Sequence, residues 1–231
     1  LAKVGAKLPR DNLDYRAPVA PNPVPDPALP RVLILGDSIS IGYTKEVKSI
    51  LEKEAMVVRP TRNNGKNAEN CQGTNHGVRR VDAWLGSHGG KWDVIHFNFG
   101  LHDLKRVKAD TGKNSNDPND PYQAAPDVYK KQLTEIVAKL KKTGAKLIFA
   151  TTTPVPSGVR PYRATDDPKT YNQIAREIMK NRGIAVNDLF AFAEPRLENL
   201  QKKADVHFKP KGSKALARRV ARAVRRALRR P

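Results

Sequence analysis

Apolar positions fall into two kinds of run, and the switch between them marks the elements. Short runs dense in apolar residues read as buried strands. They are Val32-Leu33-Ile34-Leu35, Ala55-Met56-Val57-Val58-Arg59, Trp92 to Phe99, Ala145 to Ala150 and Ile184-Ala185-Val186. Between them, apolar residues recur every three or four positions, the spacing of a helix face. Such spacing predicts helices over 44–54, from Thr74 as N-cap through Val78, Val81 and Leu85, and over 127–142, where Leu133, Ile136, Val137 and Leu140 share a side. Gly144 is the expected helix stop. Further helices are predicted over 168–181, over 189–200 and at the C-terminus.

Five strands alternating with helices predict an α/β domain with a parallel sheet covered on both faces. Residues 1–30 contain seven prolines and little periodicity, so they read as an extended arm preceding a domain over 31–231. The stretch from Leu104 to Pro126 is too long for a simple connector and reads as a functional loop.

At 231 residues the chain can bury the core of one such domain. Apolar residues make up 39% and charged residues 29%, and no apolar run approaches the roughly 20 residues of a membrane span. Cys71 is the single cysteine, which excludes an internal disulfide. The first residue is Leu1, which fits a mature form after signal-peptide removal or a trimmed chain. The expected location is secreted or periplasmic.

The formal charge is +20, and half of it lies after Phe208, where ten Lys or Arg occur without an acid. This basic C-terminal helix is expected to hold polyanions nonspecifically. The plainer reading is a solvated face, because Leu216, Val220, Val224 and Leu228 form a core stripe opposite the arginines.

Two segments carry chemistry. Gly36-Asp37-Ser38-Ile39-Ser40 follows the first strand, so a tight turn delivers Ser38 to the next helix start. Free N–H groups there favour a developing negative charge. Near the other end, Asp205-Val206-His207 offers an imidazole base and an acid to orient it. His76 and His88 lie near helix ends and read as exposed, while His96, inside a strand, reads as packing. No His/Asp/Glu spacing suggests a metal site, and no cofactor is expected.

These blocks, with Gly100-Leu101-His102-Asp103 and the glycine-containing loop before the second helix, resemble in order the motifs of SGNH hydrolases, also called GDSL esterases/lipases. The resemblance spans residues 31–228. It implies a three-layer α/β/α sandwich of flavodoxin-like type with a five-stranded parallel sheet, and cofactor-free ester hydrolysis. It makes Ser38 the nucleophile, His207 the base and Asp205 its orienting acid. The oxyanion would be held by the Ser38 N–H, a glycine N–H and a side chain of the third block. The glycine is Gly73, with Gly65 the alternative. The third block usually reads Gly-x-Asn-Asp, and here His102 replaces the asparagine. An imidazole N–H can take over, adding a possible response to pH, or Asn98 supplies the donor instead.

The polar composition and the polar loop after Leu104 point to an esterase removing small acyl groups, acetyl foremost, from a carbohydrate. Alternatives are a lysophospholipase or thioesterase for longer acyl chains, and a non-catalytic protein that holds an anionic glycan on the same fold.

Overall fold

The computed structural model describes residues 26–63 and 65–229. The expected arm over 1–30 therefore falls almost wholly outside the described residues. Strand β1 (Arg31–Leu35) is the centre of the fold. Its Val32, Leu33, Ile34 and Leu35 are completely buried, and each contributes roughly 1.5–3 kcal/mol relative to exposure. It pairs in parallel with β2 (Met56–Val58) on one side and β5 (Val94–Phe97) on the other. Beyond β5 come β6 (Lys146–Ala150) and β7 (Ala185–Asn187), also parallel. The order is β2-β1-β5-β6-β7. A separate two-stranded hairpin, β3 (Thr61–Arg62) with β4 (Asn67–Ala68), was not anticipated from the sequence.

Helices α1 (Ser38–Ile50) and α7 (Pro210–Arg229) pack together as one layer, and α7 also lies on β5, β6 and β7. Helices α2 (Thr74–Gly86), α3 (Pro126–Lys141) and α4 (Asp167–Asn181) pack in sequence on one another as a second group. The short α5 (Leu189–Ala193) and α6 (Leu197–Leu200) are separated by a 3₁₀ turn at Glu194–Arg196. Pro195, which has no N–H to continue a helix, accounts for the break in the continuous helix expected over 189–200. Among the described residues, no helix is long and apolar enough to cross a membrane.

The chain doubles back at β1, sending one connection to β2 and the later ones toward β7. Ligands of such sheets sit beyond the carboxyl ends of the strands where the direction reverses. The turns after β1 and β5, the adjacent pair, are Gly36–Ser38 and Gly100–Asp103.

Candidate active site

Helix α1 begins at Ser38 itself, six residues earlier than the spacing predicts. The Asp37 side chain caps it, accepting the Ile39 N–H at 2.9 Å. Burial raises the Asp37 pKa, against hydrogen bonds and nearby His207 that lower it. Ser38 is thereby fixed on the first turn. No acceptor for its backbone N–H exists among the described residues.

Arg59 holds this turn from behind. Its buried guanidinium donates to Gly36 O, Glu69 O, Ser40 Oγ and Thr44 Oγ1. One side chain thus joins the Ser38 turn to the loop that ends at Gly73. The Cys71 N–H adds a second tie, donating to Gly36 O at 3.1 Å.

His207 reaches Ser38 from the far end of the chain. Its Nε2 is 2.8 Å from Ser38 Oγ, and its Nδ1 is 2.7 Å from Asp205 Oδ1. The same carboxylate oxygen accepts the His207 backbone N–H at 3.0 Å. Burial works to raise the Asp205 pKa, but these two hydrogen bonds outweigh it and hold the carboxyl below its ordinary range. Gln201 secures the segment. Its buried amide donates to Val206 O at 2.8 Å and to Pro154 O at 2.9 Å. Gly212 lets α7 approach, because a Cβ there would strike Leu200 O.

In the loop that Arg59 and Cys71 tie to this turn, Gly73 is the N-cap of α2, one position before the Thr74 cap predicted. A Cβ at Gly73 would lie 2.8 Å from Asp103 Oδ1, so the close approach of the Gly100–Asp103 turn requires glycine. Thr74 instead gives both its N–H and its hydroxyl to Asp103 Oδ1, at 2.7 and 2.6 Å. Burial pushes the Asp103 pKa up to about 7 against those bonds. Gly100 sits at φ +148°, where a Cβ would strike Thr152 Oγ1.

His102 is 6% exposed, and its Nδ1 is buried without a partner. The ring therefore has only Nε2 with which to serve a ligand. Burial, reinforced by Lys105 and Arg163, keeps its pKa well below the ordinary value. The lowered pKa favours the neutral ring, which has one N–H to give. Asn98 already donates to Ala150 O at 2.7 Å. Gly65 lies in the exposed β3–β4 turn, with nothing within 4 Å of where its Cβ would stand.

The structure thus brings Ser38, His207 and Asp205 into one hydrogen-bonded chain and seats Gly73 against Asp103, the neighbour of His102. It leaves Gly65 apart. His88 is exposed and His96 buried, as read, but His76 is buried against Trp84, with its Nε2 3.8 Å from Glu69 Oε1. Sequence reasoning missed Arg59, Gln201 and Arg163. The last is buried on the loop after β6 and donates to Leu101 O at 2.9 Å. The loop after Leu104 is not loosely held. Arg106 binds Leu104 O, Pro118 O and Asp167, and lies 3.6 Å above the Tyr122 ring.

A cleft of about 500 Å³ opens from Ser38 and His207. Its walls include Ile39, Phe208 and Pro210, together with Lys45, Glu46, Lys202, Ser213 and Lys214.

The family model of the GDSL-like lipase/acylhydrolase family matches residues 34–215. Solved structures share the fold. An acetyl xylan esterase is 17% identical, with a TM-score of 0.64 over 84% of this chain and 99% of its own. A lipase/acylhydrolase from Enterococcus faecalis is 19% identical, with a TM-score of 0.65 over 85% and 95%. A variant acetyl-xylooligosaccharide esterase from Geobacillus is 17% identical, with a TM-score of 0.65 over 84% and 94%. No curated protein matches the chain in sequence.

Proposed function

This chain belongs to the GDSL-like lipase/acylhydrolase family and hydrolyses esters, and on that premise we propose that Ser38, His207 and Asp205 are its catalytic triad and that it removes acetyl groups from a carbohydrate. The observation that carries the chemistry is the unbroken chain Ser38 Oγ–His207–Asp205, at 2.8 and 2.7 Å. His207 Nε2 takes the Ser38 proton as Oγ attacks the ester carbonyl carbon. Asp205 accepts the Nδ1–H and stabilises the imidazolium that forms. The carbonyl oxygen becomes an oxyanion, facing the Ser38 and Gly73 N–H groups and His102 Nε2. Collapse expels the alcohol, which takes its proton from His207 and leaves an acyl-serine. Water, activated by the same imidazole, then attacks the acyl carbon and restores Ser38.

The carbohydrate reading is supported by the names of two fold neighbours, an acetyl xylan esterase and an acetyl-xylooligosaccharide esterase. Two measurements test it. A fluorophosphonate should label the protein and fail to label Ser38→Ala. In a series of nitrophenyl esters of rising acyl length, kcat/KM should be highest for acetate. A maximum at long chains would replace this reading with a lysophospholipase or thioesterase, and absence of labelling would favour a glycan-binding protein.

We also place the protein outside the cytoplasm, secreted or periplasmic, to be tested by cell fractionation of its source. A polyanion is the proposed partner of α7. Arg219, Arg222 and Arg226 line a surface trough of about 790 Å³ with Lys141 and Arg182, and this supports the assignment. Replacing the three arginines by alanine should lower the salt needed for elution from heparin; unchanged elution would reduce the row to a solvated face.

A further inference from the structure

We infer that the alcohol half of the substrate carries a negative charge, held by Lys45, Lys202 and Lys214 in the cleft beside Ser38 and His207. The inference rests on the esterase reading above. Three separate pieces of chain bring the lysines together. Lys45 stands on α1, two turns after Ser38. Lys214 is on the second turn of α7, and Lys202 is on the loop that leads to Asp205. The two helices meet closely at Gly42, where a Cβ would lie 3.4 Å from Ser213 Oγ.

The local acids only partly offset these charges. Lys214 Nζ lies 3.9 Å from Glu46 Oε1, and Lys202 Nζ lies 4.0 Å from Asp205 Oδ2. Asp205 is already engaged by His207. For Lys45, no carboxylate lies within ion-pair distance among the described residues. Among the residues lining the cleft there are three ammonium groups and one carboxylate. A concave wall of one sign concentrates ligands of the other.

Position decides which half of the ester is meant. His207 must pass its proton to the leaving oxygen, so the alcohol lies beside Nε2. The cleft is lined by His207 and by neither Gly73 nor His102. The carbonyl oxygen therefore points away from the lysines, and the alcohol extends among them. The chemistry that fits is an acylated alcohol bearing a carboxylate or a phosphate, such as an acetylated uronic acid or an acetylated polyol phosphate.

The test compares three acetyl esters in the wild-type protein: an acetylated methyl glucuronide, the corresponding acetylated methyl glucoside, and acetylglycerol 3-phosphate. At about 20 mM salt, kcat/KM for at least one charged ester should exceed that for the glucoside by roughly tenfold, chiefly through KM. Near 0.5 M salt the ratio should fall toward one, because screening shortens to about 4 Å. Preference for the phosphate ester alone supports the charge and identifies phosphate as its source. Lys45→Glu should lower the charged-to-neutral ratio by roughly tenfold. Lys45 is exposed, so the fold tolerates the change. Equal rates for charged and neutral esters at low salt would overturn the inference while leaving the esterase standing, as would a preference that Lys45→Glu leaves unmoved. Hydrolysis of none of the three would bring down the acetyl-ester reading of the substrate and this inference with it.

Discussion

Two histidines carry the proposed chemistry at Ser38, and their surroundings are opposite. His207 is about one-third exposed, and both ring nitrogens are engaged, one by Ser38 and one by a carboxylate kept ionised. His102 is buried, has one nitrogen without a partner and lies near Lys105 and Arg163, which oppose a positive charge. A ring that must gain and lose a proton needs its charged form supported, and Asp205 does that. A ring that must give a hydrogen bond without becoming an acid needs its charged form suppressed, and burial does that. The same residue type thus suits the proton transfer proposed on the His207 side and the fixed donation proposed on the His102 side. Environment, not identity, separates the roles.

The largest effect should come from the first side. His207→Ala should lower kcat by roughly 10⁴–10⁶, and Ser38→Ala by a similar factor. The double variant should be little worse than either, because the two side chains handle one proton. Losses that multiply would mean that the pair does not act as a unit. Asp205→Asn should cost roughly 10⁴ through the wrong tautomer.

The second side should respond less, and in kcat rather than KM. His102→Ala should lower kcat by roughly 10²–10³, the usual cost of one oxyanion donor. His102→Asn should recover part of that loss, since an amide N–H can point the same way. A normal kcat in His102→Ala would erase the comparison, leaving His102 as a packing residue. Asn98→Ala would then be expected to carry the kinetic defect.

The first side was more legible in the sequence than the second. Gly36-Asp37-Ser38 follows an unbroken apolar run, and Asp205 and His207 are two residues apart; each pattern alone is weak, and it is their order along the chain, resembling one family, that joins them. The start of α1 was missed because Ser38, Ser40 and Gly42 are weak helix formers. Its true face, Ile39, Tyr43 and Val47, keeps the spacing of four. His76 was misread because its burial depends on Trp84 and Glu69, contacts that helix position does not encode. Arg59 stands as the last residue of a predicted strand, and nothing in the local pattern marks Gln201. Each acts through carbonyls and hydroxyls distant in sequence, and no residue-type signal marks such partners. The β3–β4 hairpin has two residues per strand, too few to show a period, although Asn63-Asn64-Gly65 carries a turn signal.

Asp103 offers the smallest effect and the finest test of the buried side. Its pKa rises from an ordinary 3.8 to about 7 because burial disfavours the carboxylate more than the two Thr74 hydrogen bonds favour it. The folded protein then keeps a proton that the unfolded chain releases above about 4. Stability from this group is full below that value, declines as pH rises toward 7, and is level beyond. His96, lowered to about 4, and His102 pull the other way, because the unfolded chain binds protons there that the folded protein does not. The readout is therefore the difference between wild type and Asp103→Asn, which keeps an oxygen for the Thr74 N–H and cannot ionise. From pH 5 to pH 8 the wild-type melting temperature should fall by roughly 5 °C relative to the variant. Parallel curves would show that Asp103 is ionised throughout. In that case the turn holding His102 would be more polar than its burial implies, and the contrast between the two histidines would narrow.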